Sequence, residues 1–197
     1  MKIKETRSVL AKIDKATDGI EYSPSEKNNL FMALFDISLE HAKSILILIE
    51  NGKFGSAYAL ARPLVESFIR GAWIQNCATD TEVTRLSEKD KINKDFSVLI
   101  DEVEGTTGWP NFFSWVKDNL YKNMNSYTHG GNQLVARRFS GDSLIHIPDV
   151  QEINALLGLA TIVGFLCLTS IANHATIKDI DNLVADLDNK IHTNILI

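Results

Sequence analysis

The chain has 197 residues, a formal net charge of −5 at pH 7 and a hydrophobic fraction of 45%. This length suits one domain with a substantial core, and the acidic balance excludes a broadly basic coat for nucleic acid while leaving room for a local basic patch. Cys77 and Cys167 are far apart and lack CxxC or zinc spacing, so we predict free thiols in a reducing cytoplasm. No apolar run follows the charged N-terminal residues, and no signal peptide is expected.

Helical periodicity dominates the chain, and we predict a single all-α domain over residues 1–197. The helix lengths fit an up-and-down bundle of four main helices with short additional helices. The segment from Ser23 to Glu26 has the pattern of a capping box with proline at the first helical position. In chain order, helices are expected at about 5–17, 23–50, 56–78, 79–90, 93–103, 110–129, 148–173 and 176–189.

Two stretches depart from regular helix. Pro63 lies inside the helix predicted over residues 56–78, which indicates a kink or a break near Ala59. Residues 132–147 look irregular, with a short period-two pattern at 143–147 as the only strand signal.

Residues 155–172 contain no charged side chain, and their number touches the threshold for a membrane-spanning helix. No aromatic residues flank them in belts, and Asp149 and Glu152 lie just before them. A buried central helix or a helix at a dimer interface explains the pattern better than a membrane span. Ala160 and Gly164 are spaced for close contact with another helix.

The helix predicted over residues 110–129 carries the most informative pattern. Lys122 and His129 are seven residues apart and fall on one face, separated by roughly 10 Å of helical rise. A cation and an imidazole on one surface suit the binding, or the cutting, of a phosphodiester. Gly130 is placed to cap the helix in a left-handed conformation. The opposite face carries an apolar stripe of Phe113, Val116, Leu120, Met124 and Tyr127.

Asn123 falls at the centre of that apolar stripe, so we predict a buried amide with a hydrogen-bond partner. Such an amide either fixes helix packing or orients the groups of an active face. His129 has a second interpretation as well, because a protonated imidazole is favourable at any helix C-terminus.

Other charged residues could join this face. Arg62, Glu66 and Arg70 follow one another at intervals of four on an almost wholly apolar helix. They form either a structural ion pair that fixes helix register or a polar pocket beside Lys122 and His129. A second basic group, Arg137 and Arg138, either folds back to bind phosphate or consists of solvated loop charges.

No metal site or cofactor is predicted. Asp36 and Glu40 are four residues apart with His41 beside them, which raises the question of a di-metal bundle. Such sites need a Glu-x-x-His motif from each of two helices, and this pattern and HExxH are both absent. We interpret the two carboxylates as a solvated or partly buried charge pair.

The segment Lys122-Asn123 followed by His129 resembles the motif of the HEPN superfamily, an arginine and a polar residue with a histidine a few residues on. Lysine stands here in place of the arginine. The charge is kept, but the planar guanidinium that can bind two oxygens at once is lost. The stretch from Ala59 to Glu66, together with Tyr127-Thr128-His129-Gly130-Gly131, is also similar to an uncharacterised bacterial family with an Arg-Pro-x-x-Glu helix and a His-Gly-Gly element.

The resemblance implies a homodimeric helical bundle that binds RNA or cleaves it without metal, as a toxin or a phage-defence component. His129 would be the acid/base group or would orient a ribose 2′-hydroxyl, with Lys122 and Asn123 beside it. Arg62, Glu66, Arg70 and Tyr127 would support that geometry.

A second hypothesis is a non-catalytic interaction module, such as a sensor, an antitoxin-like partner or a scaffold. The acidic charge and the missing arginine favour it. No DNA-binding motif is present, and membrane association is the weakest of the three hypotheses.

Overall fold

The computed structural model describes residues 2–108, 111–144 and 149–194, and most of them are helical, which confirms the all-α prediction. A two-stranded hairpin is the exception. The elements are α1 (Ile3–Thr17), α2 (Glu26–Glu50), α3 (Phe54–Ala59), α4 (Ala61–Asn76), α5 (Asp80–Lys89), α6 (Phe96–Thr107), α7 (Phe112–Thr128), α8 (Asn132–Ala136), β1 (Phe139–Ser140), β2 (Ser143–Leu144), α9 (Val150–Ala172) and α10 (Ile180–Asn194).

Local capping signals set several helix boundaries. The Thr79 hydroxyl accepts a hydrogen bond from the Glu82 N–H while the Glu82 carboxylate accepts from the Thr79 N–H, a reciprocal capping box at the start of α5. The predicted break near Ala59 is confirmed, because α3 ends there and α4 begins at Ala61. Pro63 therefore lies in the first turn of α4, where its missing N–H removes no helical hydrogen bond.

Other predicted boundaries are wrong by a few residues. α2 is capped by Ser25, whose hydroxyl accepts from the Asn28 N–H, so the helix begins after the predicted Ser23 cap. The helix expected at 93–103 is displaced to Phe96–Thr107, and the last helix begins at Ile180 instead of residue 176. The predicted starts at 110 and 148, and residues 145–147 of the strand signal, lie outside the described residues.

The segment expected to be irregular, residues 132–147, has more structure than predicted in the part that is described. α8 follows the glycine pair directly, and β1 pairs antiparallel with β2. Phe139 lies opposite Leu144 in this hairpin. Both side chains are exposed, at 56% and 75% of their surface.

α2 lies at the centre of the molecule, packed mainly against α4 and α9, with α1 on α9 and with α6 and α7 on α4. Within the described part of the chain, α9 is the one helix long and apolar enough to cross a membrane, but 67% of its apolar window is buried in the protein. It is a core helix, which is consistent with a soluble protein. Gly164 gives it the expected close contact, since a Cβ there would lie 2.9 Å from Leu10 Cδ2 of α1.

Gly71 lies where α4 packs closely against α2. A Cβ on Gly71 would lie 2.9 Å from Cε1 of the fully buried Phe35 ring and 3.3 Å from Leu34 Cβ. We expect Gly71→Ala to destabilise the fold by about 1 kcal/mol, because overpacking outweighs the gain in helix propensity. Gly105→Ala in α6, with nothing within 4 Å, should instead stabilise by about 0.5 kcal/mol. Urea unfolding measures the change in the free energy of unfolding for both variants. A change of the same sign in both would contradict the packing argument.

Candidate functional site

The end of α7 fixes the place of His129. His129 is the C-cap residue, and its N–H donates to the Asn125 carbonyl over 3.0 Å. Gly130 follows with φ +68°, the left-handed conformation predicted for it. A Cβ on Gly131 would lie 2.5 Å from Ser126 Oγ, so the chain can turn this tightly only because both residues are glycine.

The start of α7 is held by a residue of another helix. Asn111 makes no side-chain capping hydrogen bond. The buried Glu104 carboxylate of α6 accepts instead from the Phe113 N–H over 2.7 Å and from the Ser114 N–H over 3.1 Å. A carboxylate at this place satisfies helix N–H groups and also complements the helix dipole.

The cation that contacts His129 is Arg62 of α4, not the predicted Lys122. Arg62 Nη1 lies 3.4 Å from His129 Nε2 and donates to Asn125 Oδ1 over 2.6 Å. Arg62 Nε donates to Glu66 Oε1 over 2.7 Å, and that same oxygen accepts from the Tyr121 hydroxyl. We call Arg62, Glu66, Tyr121, Asn125 and His129 the Arg62–His129 cluster.

The charges of the cluster are mutually stabilised. Burial alone would raise the pKa of Glu66, but the hydrogen bond from Tyr121 and the ion pair with Arg62 outweigh it, so the pKa of Glu66 is lowered. The hydrogen bond to Glu66 raises the pKa of Arg62, and burial raises the pKa of Tyr121 to about 12. At neutral pH the cluster therefore holds a guanidinium, a carboxylate and a protonated phenol, with the Arg62 guanidinium 5.0 Å from the Tyr121 ring centre.

The lowered pKa of Glu66 predicts a pH-dependent stability. The ionised Glu66 carboxylate makes its full contribution to the free energy of unfolding above the ordinary glutamate pKa. This contribution is lost as the pH falls through the lower folded-state pKa. We expect Glu66→Gln to lower the free energy of unfolding by about 1 kcal/mol at pH 7, given partial solvent screening. This difference from wild type should shrink toward zero below about pH 4. Urea titrations across this range measure it; a constant difference would contradict the assignment.

A guanidinium carries only donors, so a hydrogen bond across this contact would have Arg62 Nη1 donating to an unprotonated His129 Nε2. An imidazole in this form can accept a proton. Arg62 is also hydrogen-bonded to Tyr121, and its side chain is 27% exposed. The guanidinium is thus partly exposed to solvent beside an exposed histidine, where an anion can approach it.

The other predicted residues of α7 lie outside the Arg62–His129 cluster. Lys122 is exposed on the same side as His129 and makes no hydrogen bond or ion pair with a described residue. The prediction that Asn123 is a buried amide within the apolar stripe is wrong, because Asn123 is exposed. Tyr127 is buried, and it stacks on Tyr58 of α3 at 4.7 Å between ring centres, on the face of α7 away from His129.

The remaining predicted arginines lie outside the cluster. Arg70 is exposed on α4 and acts on Glu66 only through its charge. Arg137 forms a bidentate ion pair with Glu152 at the start of α9 and lies 5.2 Å from the Tyr127 ring centre. Arg138 is exposed beside Gly55 of α3. Arg137 thus ties α8 to α9, and its donors are occupied by protein oxygens.

Asp36 and Glu40 are both exposed, as the solvated interpretation expected. Over residues 2–108, 111–144 and 149–194, no group of three or more His, Cys, Asp or Glu side chains is arranged to hold a metal ion.

Sequence reasoning missed Tyr121 as a member of the cluster and gave Asn125 no role. A signal was present, since Tyr121, Asn125 and His129 succeed one another at intervals of four and so form one row along α7. That row is the one that faces Arg62.

One family model matches the chain, over residues 35–190, and it is described as a family of unknown function, DUF6988. No curated protein and no solved structure matches the chain significantly. The matched residues include the whole Arg62–His129 cluster and most of the chain, which therefore belongs to the DUF6988 family.

Proposed function

We propose that the Arg62–His129 cluster binds RNA and cleaves its backbone without a metal ion, in the manner of HEPN-like ribonucleases. The observation that carries this proposal is the 3.4 Å contact between Arg62 Nη1 and His129 Nε2 at an exposed helix end. In this reading Arg62 replaces Lys122 as the motif arginine, although it comes from a different helix. It also restores the planar fork that a lysine lacks.

The chemistry follows from the two side chains. A bound phosphate takes up the donors of Arg62, which releases His129 Nε2 to remove the proton of a neighbouring ribose 2′-hydroxyl. The 2′-oxygen attacks phosphorus, the bond to the 5′-oxygen breaks, and Arg62 stabilises the charge that develops on the phosphorane oxygens. The leaving 5′-oxygen takes a proton from water and the His129 imidazolium returns its proton to the solvent, so that a 2′,3′-cyclic phosphate and a 5′-hydroxyl result.

A homodimer in the cytoplasm is part of this proposal. Phe139 and Leu144 are cross-strand partners on the hairpin that follows α8, and both are exposed. Val135 of α8 is exposed as well, at 48%. Apolar side chains clustered in this way favour a protein interface close in sequence to His129.

The test is a cleavage assay in EDTA with a single-stranded RNA and the same strand carrying 2′-deoxyribose throughout. The proposal expects cleavage of the RNA only, with cyclic-phosphate ends, since the 2′-hydroxyl is the nucleophile. An RNA left intact by pure, folded dimer would overturn it, as would equal cleavage of the deoxy strand. A toxin or phage-defence role would be tested afterwards by growth arrest on expression.

The second candidate is the non-catalytic interaction module. The exposed hairpin pair and the net charge of −5 favour it, because both suit a protein partner better than a polyanion. An intact RNA together with a partner whose binding survives His129→Ala but not Phe139→Ser would select this function.

A further inference from the structure

A cavity of about 210 Å³ lies between α4, the end of α5 and the start of α6. Three cations and several apolar side chains line it, among them Arg70, Lys91, Lys94, Leu86, Ile92 and Phe96. An engineered apolar cavity of about 150 Å³ holds a benzene molecule, so this larger space can hold one ring together with a small polar group. None of its lining residues belongs to the Arg62–His129 cluster.

Two of the three cations are available to a ligand. Arg70 and Lys91 are exposed, and neither makes a hydrogen bond or an ion pair with a residue in the described ranges. Lys94 is already engaged, because its Nζ lies 2.8 Å from Glu102 Oε2 and 3.3 Å from Glu82 Oε1. The cavity therefore presents two positive charges that no ion pair neutralises, in a chain whose net charge is −5.

Other charges at the cavity act with and against these two. The Asp90 carboxylate also lines it and opposes an anion, but it is exposed and forms no ion pair with Arg70 or Lys91. The cavity lies at the start of α6, whose first residue is Phe96, and Asp95 before it makes no side-chain capping hydrogen bond. The positive end of a helix dipole adds to the attraction for an anion.

We propose that this cavity binds the phosphate monoester group of a molecule that also carries an apolar ring. A phosphate monoester has about two negative charges at pH 7, which match the free charges of Arg70 and Lys91. The planar guanidinium of Arg70 can bind two phosphate oxygens, and Lys91 adds a point charge. The ring packs on the apolar wall, where Phe96 stacks on Tyr121 at 5.5 Å between ring centres. The site thus adjoins the Arg62–His129 cluster, but the proposal does not depend on RNA cleavage.

The probe is phenyl phosphate, and inorganic phosphate and phenol represent its two parts. Each is titrated into the full chain while the backbone amide signals of residues 86–99 are followed by NMR. Phenyl phosphate should bind about tenfold more tightly than inorganic phosphate, because the ring buries apolar surface. Arg70→Gln and Lys91→Gln should each weaken phenyl phosphate about fivefold. Lys89→Gln is the matched control: Lys89 is exposed, lies two positions from Lys91 and does not line the cavity, so the affinity should stay within about twofold.

A small molecule and the phosphorylated end of an RNA share this chemistry. A single strand with 2′-deoxyribose, prepared with and without a 5′-phosphate, separates the two sources, and the proposed mechanism cannot cleave it. A 5′-phosphate that strengthens binding to wild type but not to Arg70→Gln would assign the site to the end of a nucleic acid. Equal binding of the two strands, with phenyl phosphate still bound, would assign it to a small molecule.

Asp90→Asn tests the sign of the charge that the cavity prefers. Asp90 has a φ of +47°, a left-handed conformation that asparagine also tolerates, so the fold should be kept. Removing this carboxylate should tighten phenyl phosphate about twofold to threefold. Absence of phenyl phosphate binding to wild type would overturn the proposal. So would an unchanged affinity in both Arg70→Gln and Lys91→Gln, a loss of equal size in Lys89→Gln, or weaker binding in Asp90→Asn.

Discussion

On the proposed mechanism, His129→Ala is expected to lower the rate of RNA cleavage by about 10²- to 10⁴-fold, the contribution typical of a general base. The fold should not suffer, since His129 is exposed and its side chain contacts only Arg62 Nη1 among the hydrogen bonds of the described residues. Gly130 still ends α7 in the variant. The free energy of unfolding should stay within about 0.5 kcal/mol of wild type. Initial rates in EDTA and thermal unfolding by circular dichroism measure the two effects.

Two controls make this result specific. His192→Ala removes an exposed histidine from α10, whose ring contacts only Asp188, and should cleave at the wild-type rate. Lys122→Ala tests the sequence motif itself, because Lys122 shares the face of His129 without a hydrogen bond or ion pair to a described residue. The loss of cleavage rate in Lys122→Ala should be smaller than the loss in Arg62→Lys. Arg62→Lys keeps the positive charge but removes the planar guanidinium that can bind two oxygens at once. A folded His129→Ala protein with normal activity would remove His129 from the mechanism.

The helices were predictable because their signals are local. The Thr79–Glu82 capping box, the break before Ala61 and the left-handed Gly130 all depend on residues within a few positions of one another. The error at the start of α2 is also local, since Ser23 and Ser25 are both good caps and proline at residue 24 favoured the first. The period-two signal at residues 143–147 does begin at β2, whereas β1 was missed because a strand of two residues is too short to show a period.

The candidate site was less predictable because it depends on contacts between distant segments. Arg62 and His129 are 67 positions apart, and no periodicity reports which helix lies beside α7. Asn123 was misplaced for the same reason. The apolar stripe was assumed to be covered throughout its width, whereas the structure leaves the margin of a cavity at Asn123. Residues on one helix can be assigned to a face from sequence, but what covers that face is a property of the tertiary fold.

The largest effect on stability is expected at a residue whose importance the sequence did not indicate. Glu104→Ala should destabilise the fold by about 2–4 kcal/mol, because the charge-assisted hydrogen bonds to the Phe113 and Ser114 N–H groups are lost at a buried helix end. Glu104→Gln, which keeps one acceptor oxygen and loses the charge, should cost about half as much. Both are measured by urea unfolding.

The matched control is Asp101→Ala, which removes an exposed carboxylate from the same helix and should change stability by less than about 0.5 kcal/mol. A Glu104→Ala protein as stable as this control would mean that Glu104 does not cap α7. The 17 residues of α7 separate that cap from His129 by roughly 25 Å of helical rise. On the proposed mechanism, cleavage per folded molecule should therefore survive in Glu104→Ala below its melting temperature, whereas it should fall by about 10²- to 10⁴-fold in His129→Ala. The two variants thus separate the residue that holds the helix in place from the residue that the helix carries to the site.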